Sequence, residues 1–438
     1  MVTFDESLGV FASSLLSSLD TGVLEAGWMI RDASGRLSFI TATPISDEMA
    51  ELAAQNAFEA AAPYVRADGS VMGFDVPGVE SVIANAPVYE QVIQTSGGDV
   101  RLKVIDQRIV GADWLETPSS RADGAPRYVF ASIKGGVGRT TALAVAARDL
   151  AQSGKKVLIV DMDLEAPGVG SMLLKAEQLP RYGMLDACVE SALSPVRRDF
   201  LLDMVSASDF GGGKGLIDVV PAVGLMALEW PGNVLAKLAR AYIESAAETD
   251  GTLQTFAQRT RALVDALCDV KRYDAVFIDA RAGLNESTAP AMLSLGAKVL
   301  LFGEDTPQTF AGYRFLLAHL SRFERSEQDD WLDRIHMVHA KASPLPEKQQ
   351  MFRDRSYEIF REFLYQDDPL DDGVSLPEFT LDDVEAPHYA IPILRDSNYF
   401  EFDPLSDSSV MTTALYERTY DALLRRLNPS RSLDSDGK

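Results

Sequence analysis

The sequence predicts a doubly wound α/β fold with a mostly parallel sheet, preceded by a small α+β domain. A short β-rich run at 128–132, a glycine-rich loop, a helical run at 142–151 and a second apolar strand at 156–160 follow one another directly. Strand, helix and strand within about 35 residues is the pattern of a βαβ unit, which places two strands parallel in one sheet. Further apolar runs, separated by helical stretches such as 253–268 and 309–323, predict additional strands at 275–278, 299–302 and 335–338. This alternation is typical of doubly wound α/β architecture.

Residues 1–120 are predicted to form a small acidic α+β domain. Two β-rich runs, 28–30 and 37–40, flank the turn sequence Asp-Ala-Ser-Gly and predict a hairpin. Residues 49–61 have helical character behind Ser46 as N-cap, and residues 100–110 alternate as a strand does. Up to residue 124 the chain holds 7 basic and 18 acidic residues. We expect this domain to be an accessory module that meets a partner or senses a ligand.

A change of composition separates this domain from the rest of the chain. Residues 116–126 are a cluster of Pro, Gly, Ser and other small polar residues, which predicts a linker. The chain of 438 residues is long enough for a second, larger domain. We place it at 127–430, with an insertion around 171–270.

Composition excludes several classes of protein. Hydrophobic residues make up 46% and charged residues 24%, which is an ordinary globular balance. The net charge of −24 repels phosphate backbones and anionic lipid, so DNA and membranes are unfavourable partners. The two cysteines, Cys188 and Cys268, are too far apart for a metal or redox pair. Without a basic, apolar leader or a bilayer-length apolar run, the chain is predicted to be cytoplasmic.

A phosphate-binding loop is predicted between the first strand and the first helix of the βαβ unit. Consecutive glycines let backbone N–H groups curl around a polyphosphate, and the following helix N-terminus adds its positive dipole. The predicted nucleotide-binding residues are Gly135, Gly136, Val137, Gly138, Arg139, Thr140 and Thr141. Arg139 stands where such a loop usually has a lysine, and Thr140 stands where a hydroxyl ligand of Mg²⁺ is expected.

The run Lys134-Gly-Gly-Val-Gly-Arg-Thr-Thr141 resembles the deviant Walker A motif of the ParA/MinD group of P-loop ATPases. The resemblance extends over about 127–427 and implies a P-loop sheet, ATP and Mg²⁺ as ligands, and slow ATP hydrolysis. In that family the early lysine, here Lys134, reaches the phosphates of a second subunit across a nucleotide-bound homodimer. Lys134 is therefore a predicted catalytic residue, and ATP-dependent dimerisation is expected.

Carboxylates end two of the predicted strands. Asp161 and Asp163 follow the second strand at a spacing of two, so both point toward the phosphate crevice, where one can support Mg²⁺ and the other can orient water. By resemblance Asp163 positions the water, and Asp161 supports the metal or the phosphate loop. Asp279 ends the apolar run 273–279 in the Walker B manner and is predicted to hold Mg²⁺. Arg281 departs from the family's small residues here, and its role stays open.

The strand at 335–341 differs from the family pattern. Related strands usually end in an asparagine that recognises adenine, and no asparagine is present in this one. His339 and Lys341 each have two interpretations, a contact to the base or a plain strand end. ATP specificity is therefore implied by the family resemblance alone.

Together these features predict a Mg²⁺-dependent ATPase switch that dimerises around ATP and regulates a protein partner through the acidic domain or the insertion. Motif variants with arginine resemble ATPases coupled to bacterial signalling or defence modules, which suggests the setting. Two alternatives stay open: a nucleotide-binding scaffold without turnover, because Arg139 replaces lysine, and a DNA-partitioning ATPase. The C-terminal helical run 414–427 is predicted to pack on the sheet, because its polar face carries too few basic residues for a membrane surface.

Overall fold

The computed structural model describes residues 2–95, 97–246, 253–369, 375–406, 411–428 and 431. The chain divides into two compact units, 1–116 and 117–438. Within the described ranges no helix combines the length and the apolar composition that crossing a lipid bilayer requires.

The first unit is an α+β fold around a five-stranded mixed sheet. The sheet order is β3-β2-β1-β5-β4, with β1 antiparallel to β2 and parallel to β5. In chain order the elements are α1 (Phe4–Leu15), α2 (Thr21–Ala26), β1 (Trp28–Arg31), β2 (Leu37–Thr41), α3 (Asp47–Ala61), β3 (Val71–Gly73), α4 (Val79–Asn85), β4 (Val88–Thr95) and β5 (Gly98–Asp106).

The predicted elements of this unit are present, with one end misplaced. The hairpin forms at β1 and β2, and the Ser46 side chain caps α3 by accepting from the backbone N–H of Met49. A strand was predicted over 100–110, but the strand ends at Asp106, so the predicted end was wrong by four residues. Its parallel neighbour β1 ends at Arg31 opposite Asp106, and the Gln107 N–H donates to the Arg31 carbonyl at 2.8 Å where this pairing ends.

The second unit carries more elements, listed here in chain order. They are β6 (Arg127–Ser132), α5 (Arg139–Gln152), β7 (Lys156–Asp161), α6 (Val169–Leu173), α7 (Met184–Glu190), α8 (Arg198–Leu202), β8 (Ser206–Ala207), β9 (Leu216–Val220), α9 (Leu225–Glu229), α10 (Val234–Ala241), β10 (Ser245–Ala246), β11 (Leu253–Gln254), α11 (Phe256–Val270), β12 (Ala275–Ala282), β13 (Lys298–Gly303), α12 (Pro307–Leu320), β14 (Ile335–Ala342), α13 (Pro346–Phe363), β15 (Asp367–Pro369), β16 (Ser375–Pro377), β17 (Ile391–Leu394) and α14 (Thr413–Leu427).

An eight-stranded sheet organises this unit and confirms the predicted fold class. Its order is β17-β14-β13-β6-β12-β7-β9-β8, and every neighbouring pair is parallel except β8 with β9. The central strands are buried on both faces, as the continuous apolar runs predicted. Because β6, β12 and β7 are parallel neighbours, their carboxyl ends meet at one edge of the sheet.

Helix α5 covers one face of the central strands. Its apolar face is made of small and branched residues such as Ala142, Leu143 and Ala146, which are fully buried. The C-terminal helix α14 joins the same core through Tyr416 and Leu423, so it packs on the sheet as predicted.

The helical stretch predicted over 253–268 begins later than expected. Leu253 and Gln254 form strand β11, which pairs antiparallel with β10, and α11 begins at Phe256. The Thr255 hydroxyl accepts from the Gln258 N–H at 3.1 Å and so caps the helix at this point.

Candidate functional site

The loop after β6 has the conformation of a phosphate cradle. Gly136 and Gly138 have φ angles of 75° and 92°, which side chains with a Cβ rarely adopt. A Cβ built on Gly135, Gly136 or Gly138 meets no atom within 4 Å, so the loop faces open space. Helix α5 starts directly behind it, with Gly138 as an N-cap that offers no side-chain acceptor. The free N–H groups of this helix end therefore suit an anion.

Arg139 turns inward from the first position of α5. Its side chain is 9% exposed, with Nη2 3.8 Å from Asp163 Oδ2 and Nε 4.0 Å from Asp279 Oδ1. Within the described part of the chain, the buried Nη1 atom of Arg139 has no hydrogen-bond partner. The guanidinium group thus lies between two carboxylates and keeps a donor for a further acceptor.

Thr140 and Asp279 meet directly beside this group. The Thr140 hydroxyl donates to Asp279 Oδ2 at 2.6 Å, while Asp279 Oδ1 is buried and has no hydrogen-bond partner among the described residues. Burial raises the pKa of Asp279, and the positive charge of Arg139 acts in the opposite direction. A buried carboxylate with a free oxygen beside a hydroxyl fits a hard cation such as Mg²⁺.

Asp161 lies next to Asp279 because β7 and β12 pair these two residues in register. It is fully buried, and its pKa is raised by burial and then by the negative charge of Asp279. Its oxygens accept backbone N–H groups from Asp163 at 3.0 Å, Gly168 at 3.3 Å and Val169 at 3.2 Å. These contacts fold the loop that carries Asp163, whereas a role of Asp161 in binding Mg²⁺ stays a prediction.

The described residues contain no cluster of three or more His, Cys, Asp or Glu side chains able to hold a metal ion. Mg²⁺ in a nucleotide site usually takes one or two carboxylates and completes its shell with water and phosphate oxygens. A role of Thr140 and Asp279 in holding this ion stays a prediction.

Asp163 lies between two arginine side chains, and its role in positioning water stays a prediction. Its side chain is 13% exposed, with Arg139 on one side and Arg281 Nε 3.8 Å from Oδ1 on the other. Oδ1 also accepts the Ala166 N–H at 3.2 Å. Burial raises the pKa of Asp163, while Arg139 is the strongest influence in the opposite direction.

Three residues that sequence reasoning left without a role join the site. Arg281 Nη1 is 2.7 Å from Glu165 Oε1, and the Tyr242 hydroxyl donates to the same oxygen at 2.6 Å. Arg281 could have been suspected, because it departs from the family pattern. Tyr242 gave no signal, since it belongs to the predicted insertion, 77 residues after Glu165.

Lys341 and His339 have different surroundings. Lys341, with a φ of 51°, donates from Nζ to the Gly136 carbonyl at 2.7 Å and to Glu304 Oε1 at 2.8 Å. His339 is buried and stacks on Phe352 with ring centroids 4.0 Å apart, and burial lowers its pKa to about 4. Lys341 therefore holds the phosphate loop, which neither interpretation anticipated, and His339 belongs to the core.

Lys134 is exposed at the mouth of the loop. Its backbone carbonyl accepts the Ser132 hydroxyl at 2.8 Å, which holds the start of the loop. Among the described residues its ammonium group has no hydrogen-bond or ion-pair partner. The role of Lys134 across a dimer stays a prediction.

Comparison with solved structures finds similar chains of low identity. The Pyrococcus furiosus cell division ATPase MinD is 16% identical with a TM-score of 0.41, and the match covers 70% of this chain and 99% of that one. A putative plasmid partition protein from Borrelia burgdorferi, bound to AMPPNP, is 15% identical with a TM-score of 0.41, covering 70% and 100%. A chain of the MinC:MinD cell division protein complex from Aquifex aeolicus is 17% identical with a TM-score of 0.41, and the match covers 69% of this chain and 95% of that one.

The family comparison rests on sequence. No curated protein matches this chain significantly. The family model described as the CobQ/CobB/MinD/ParA nucleotide binding domain matches residues 128–319, which include β6, the glycine loop, Asp161, Asp163 and Asp279. Residues 128–319 thus form a nucleotide-binding domain of the CobQ/CobB/MinD/ParA family.

Proposed function

We propose that this protein is a Mg²⁺-dependent ATP-hydrolysing switch that dimerises around ATP and regulates a protein partner. One observation carries the proposal. Arg139 Nη1 is a buried donor and Asp279 Oδ1 a buried acceptor, both without partners in the described part of the chain, and both lie at the uncapped start of α5. Leaving such groups unpaired costs free energy. An anion and a cation bound together, as in Mg²⁺–ATP, would satisfy both.

Each group at the site then has a task. The N–H groups of residues 135–141 bind the phosphates, and Arg139 adds positive charge where charge builds up during phosphoryl transfer. Thr140 and Asp279 hold Mg²⁺, which supplies further charge neutralisation when bound. Asp161 fixes the loop that carries Asp163, and Asp163 orients the attacking water. Lys134 contacts the phosphates bound to the second subunit.

The output of the switch is proposed to be a protein contact. The 1–116 unit and the insertion around 171–270 carry none of the residues assigned above to the phosphates, the metal or the water, although Tyr242 of the insertion contacts Glu165 beside them. The acidic charge of the chain disfavours DNA and anionic membranes as partners. We place the protein in the cytoplasm, in a signalling or defence system, on the resemblance of its arginine-bearing motif.

Phosphate release and molar mass test this proposal. Wild type, Lys134→Ala and Asp163→Ala are assayed with ATP and Mg²⁺ while light scattering follows the oligomeric state. We expect ATP to double the mass of the wild type, Lys134→Ala to stay monomeric, and Asp163→Ala to lose turnover. Lys175→Ala, which removes an exposed ion pair with Asp209, is the matched control. A wild type that neither dimerises nor releases phosphate contradicts the switch, and salt-sensitive DNA binding would favour partitioning instead.

A scaffold without turnover is the second candidate, and Arg139 favours it. The guanidinium lies 3.8 Å from Asp163, so it can hold that carboxylate away from water. Under this alternative ATP binds tightly and forms a stable dimer, while hydrolysis stays at background. Arg139→Lys distinguishes the scaffold from the switch. An ammonium group is more compact than the planar guanidinium group, so the lysine would release Asp163. A gain of turnover in Arg139→Lys over an inactive wild type would support the scaffold.

A further inference from the structure

Glu165 links the insertion to the nucleotide site through one oxygen atom. Glu165 Oε1 lies 2.7 Å from Arg281 Nη1 and accepts the Tyr242 hydroxyl at 2.6 Å. Its other oxygen, Oε2, is buried without a hydrogen-bond partner among the described residues. Arg281 comes from the end of β12, Glu165 from the loop after β7, and Tyr242 from the end of α10. Three separate parts of the chain therefore meet at this carboxylate.

Arg281 is shared unequally between two carboxylates. Its closest approach to Glu165 is 2.7 Å, whereas its closest approach to Asp163 is 3.8 Å. Coulomb attraction grows as the distance falls, and a contact of 2.7 Å also allows a charge-assisted hydrogen bond. Glu165 therefore competes with Asp163 for the same guanidinium and holds the stronger contact.

Tyr242 is held firmly by the insertion. The buried Arg259 donates to the backbone carbonyls on both sides of it, Ala241 and Ile243, at 2.8 Å each. The Tyr242 ring packs edge-on against Phe256 with centroids 4.9 Å apart. The position of the phenol, and with it that of Glu165, thus depends on how α10 is seated against α11.

We propose that Tyr242 and Glu165 are positioning residues that hold Arg281 in a long contact with Asp163 and prevent a close pair, and that the insertion controls ATP turnover through this link. The inference rests on the proposed ATPase function and adds its regulation. When α10 is seated, Glu165 retains Arg281, and its long 3.8 Å contact leaves Asp163 able to orient water. When α10 moves, Arg281 forms a close pair with Asp163, and turnover falls while nucleotide binding continues.

Single and double substitutions test the link by turnover. We expect Glu165→Gln to lower kcat about tenfold, which is roughly the rate effect of losing one charge-assisted contact. Tyr242→Phe should lower kcat by a smaller factor. KM and the Kd for a fluorescent ATP analogue should stay within about twofold, because the phosphate cradle is unchanged. The double variant Glu165→Gln/Arg281→Gln should recover most of the lost kcat, since no guanidinium is left to capture Asp163. Glu362→Gln, which breaks the exposed pair with Arg314, is the matched control.

A stability cycle gives a second readout that needs no turnover. We compare the shifts in urea midpoint of Tyr242→Phe, Arg281→Gln and the double variant. The shift of the double variant should differ from the sum of the two single shifts, and this difference should disappear when Glu165 is already replaced by Gln. If the wild type releases no phosphate, the ATPase proposal fails, and additive midpoints would show separately that the link is absent. Turnover unchanged in Glu165→Gln, or no recovery in the double variant, overturns the inference for an active wild type.

Discussion

Replacing Lys341 by Met should weaken nucleotide binding, because this side chain holds the phosphate loop from outside. The ammonium group makes two charge-assisted hydrogen bonds, to the Gly136 carbonyl at 2.7 Å and to Glu304 at 2.8 Å. The side chain is 38% exposed, so solvent screens both bonds. We assign the pair a net value of about 1–2 kcal/mol.

Much of this free energy keeps Gly136 in its unusual conformation before ATP arrives. Without these two hydrogen bonds, nucleotide binding must order the loop, and the free energy of ordering lowers the affinity for ATP. The expected effect is a rise of roughly 5–30-fold in the Kd for Mg²⁺–ATP. Met keeps the length and apolar stem of lysine and is compatible with the same backbone strain, so the change isolates the ammonium group.

The assay is a fluorescence titration with a labelled ATP analogue in the presence of Mg²⁺. Lys175→Met is the matched control, because its ammonium group makes a 2.7 Å ion pair with Asp209 on an exposed surface. That variant should bind as the wild type does. An affinity of Lys341→Met within about twofold of the wild type would refute the reasoning and show that the loop holds its shape alone.

Three further predictions concern the metal, the pH and the thiols. Asp279→Asn should raise the Mg²⁺ concentration needed for nucleotide binding by about 10–100-fold, measured by titrating Mg²⁺ at fixed ATP analogue; an unchanged midpoint would exclude Asp279 as a ligand. His336 is kept neutral by burial, which lowers its pKa to about 3, so protons bind the unfolded chain preferentially and stability is lost as the pH falls below about 6.5. The wild type should lose about 1.4 kcal/mol more than His336→Asn between pH 7.5 and 5.5, by urea unfolding, and parallel curves would contradict this. Cys188 is fully buried with a pKa raised to about 12, so iodoacetamide should label the partly exposed Cys268 first in native protein, as read by mass spectrometry; equal labelling would refute it.

Local patterns in the sequence were enough to predict the centre of the site. The glycines before Arg139 predict the loop shape, because glycine readily adopts the φ angles seen at Gly136 and Gly138, which residues with a Cβ rarely adopt. The apolar runs that end in Asp161 and Asp279 predict buried strands with carboxylates at one edge. The structure places both carboxylates side by side, since β12 inserts between β6 and β7. The sequence predicted parallel strands but not this order.

Contacts between distant segments could not be predicted in the same way. Lys341 reaches Gly136 over 205 residues, and Tyr242 reaches Glu165 over 77, and neither pair has a spacing that a local pattern records. The sequence by itself determined the strands, the loop and the carboxylates, because periodicity, glycine and charge act over a few residues. Only the tertiary structure decided which cation each carboxylate meets, because strand order and the seating of the insertion set those distances.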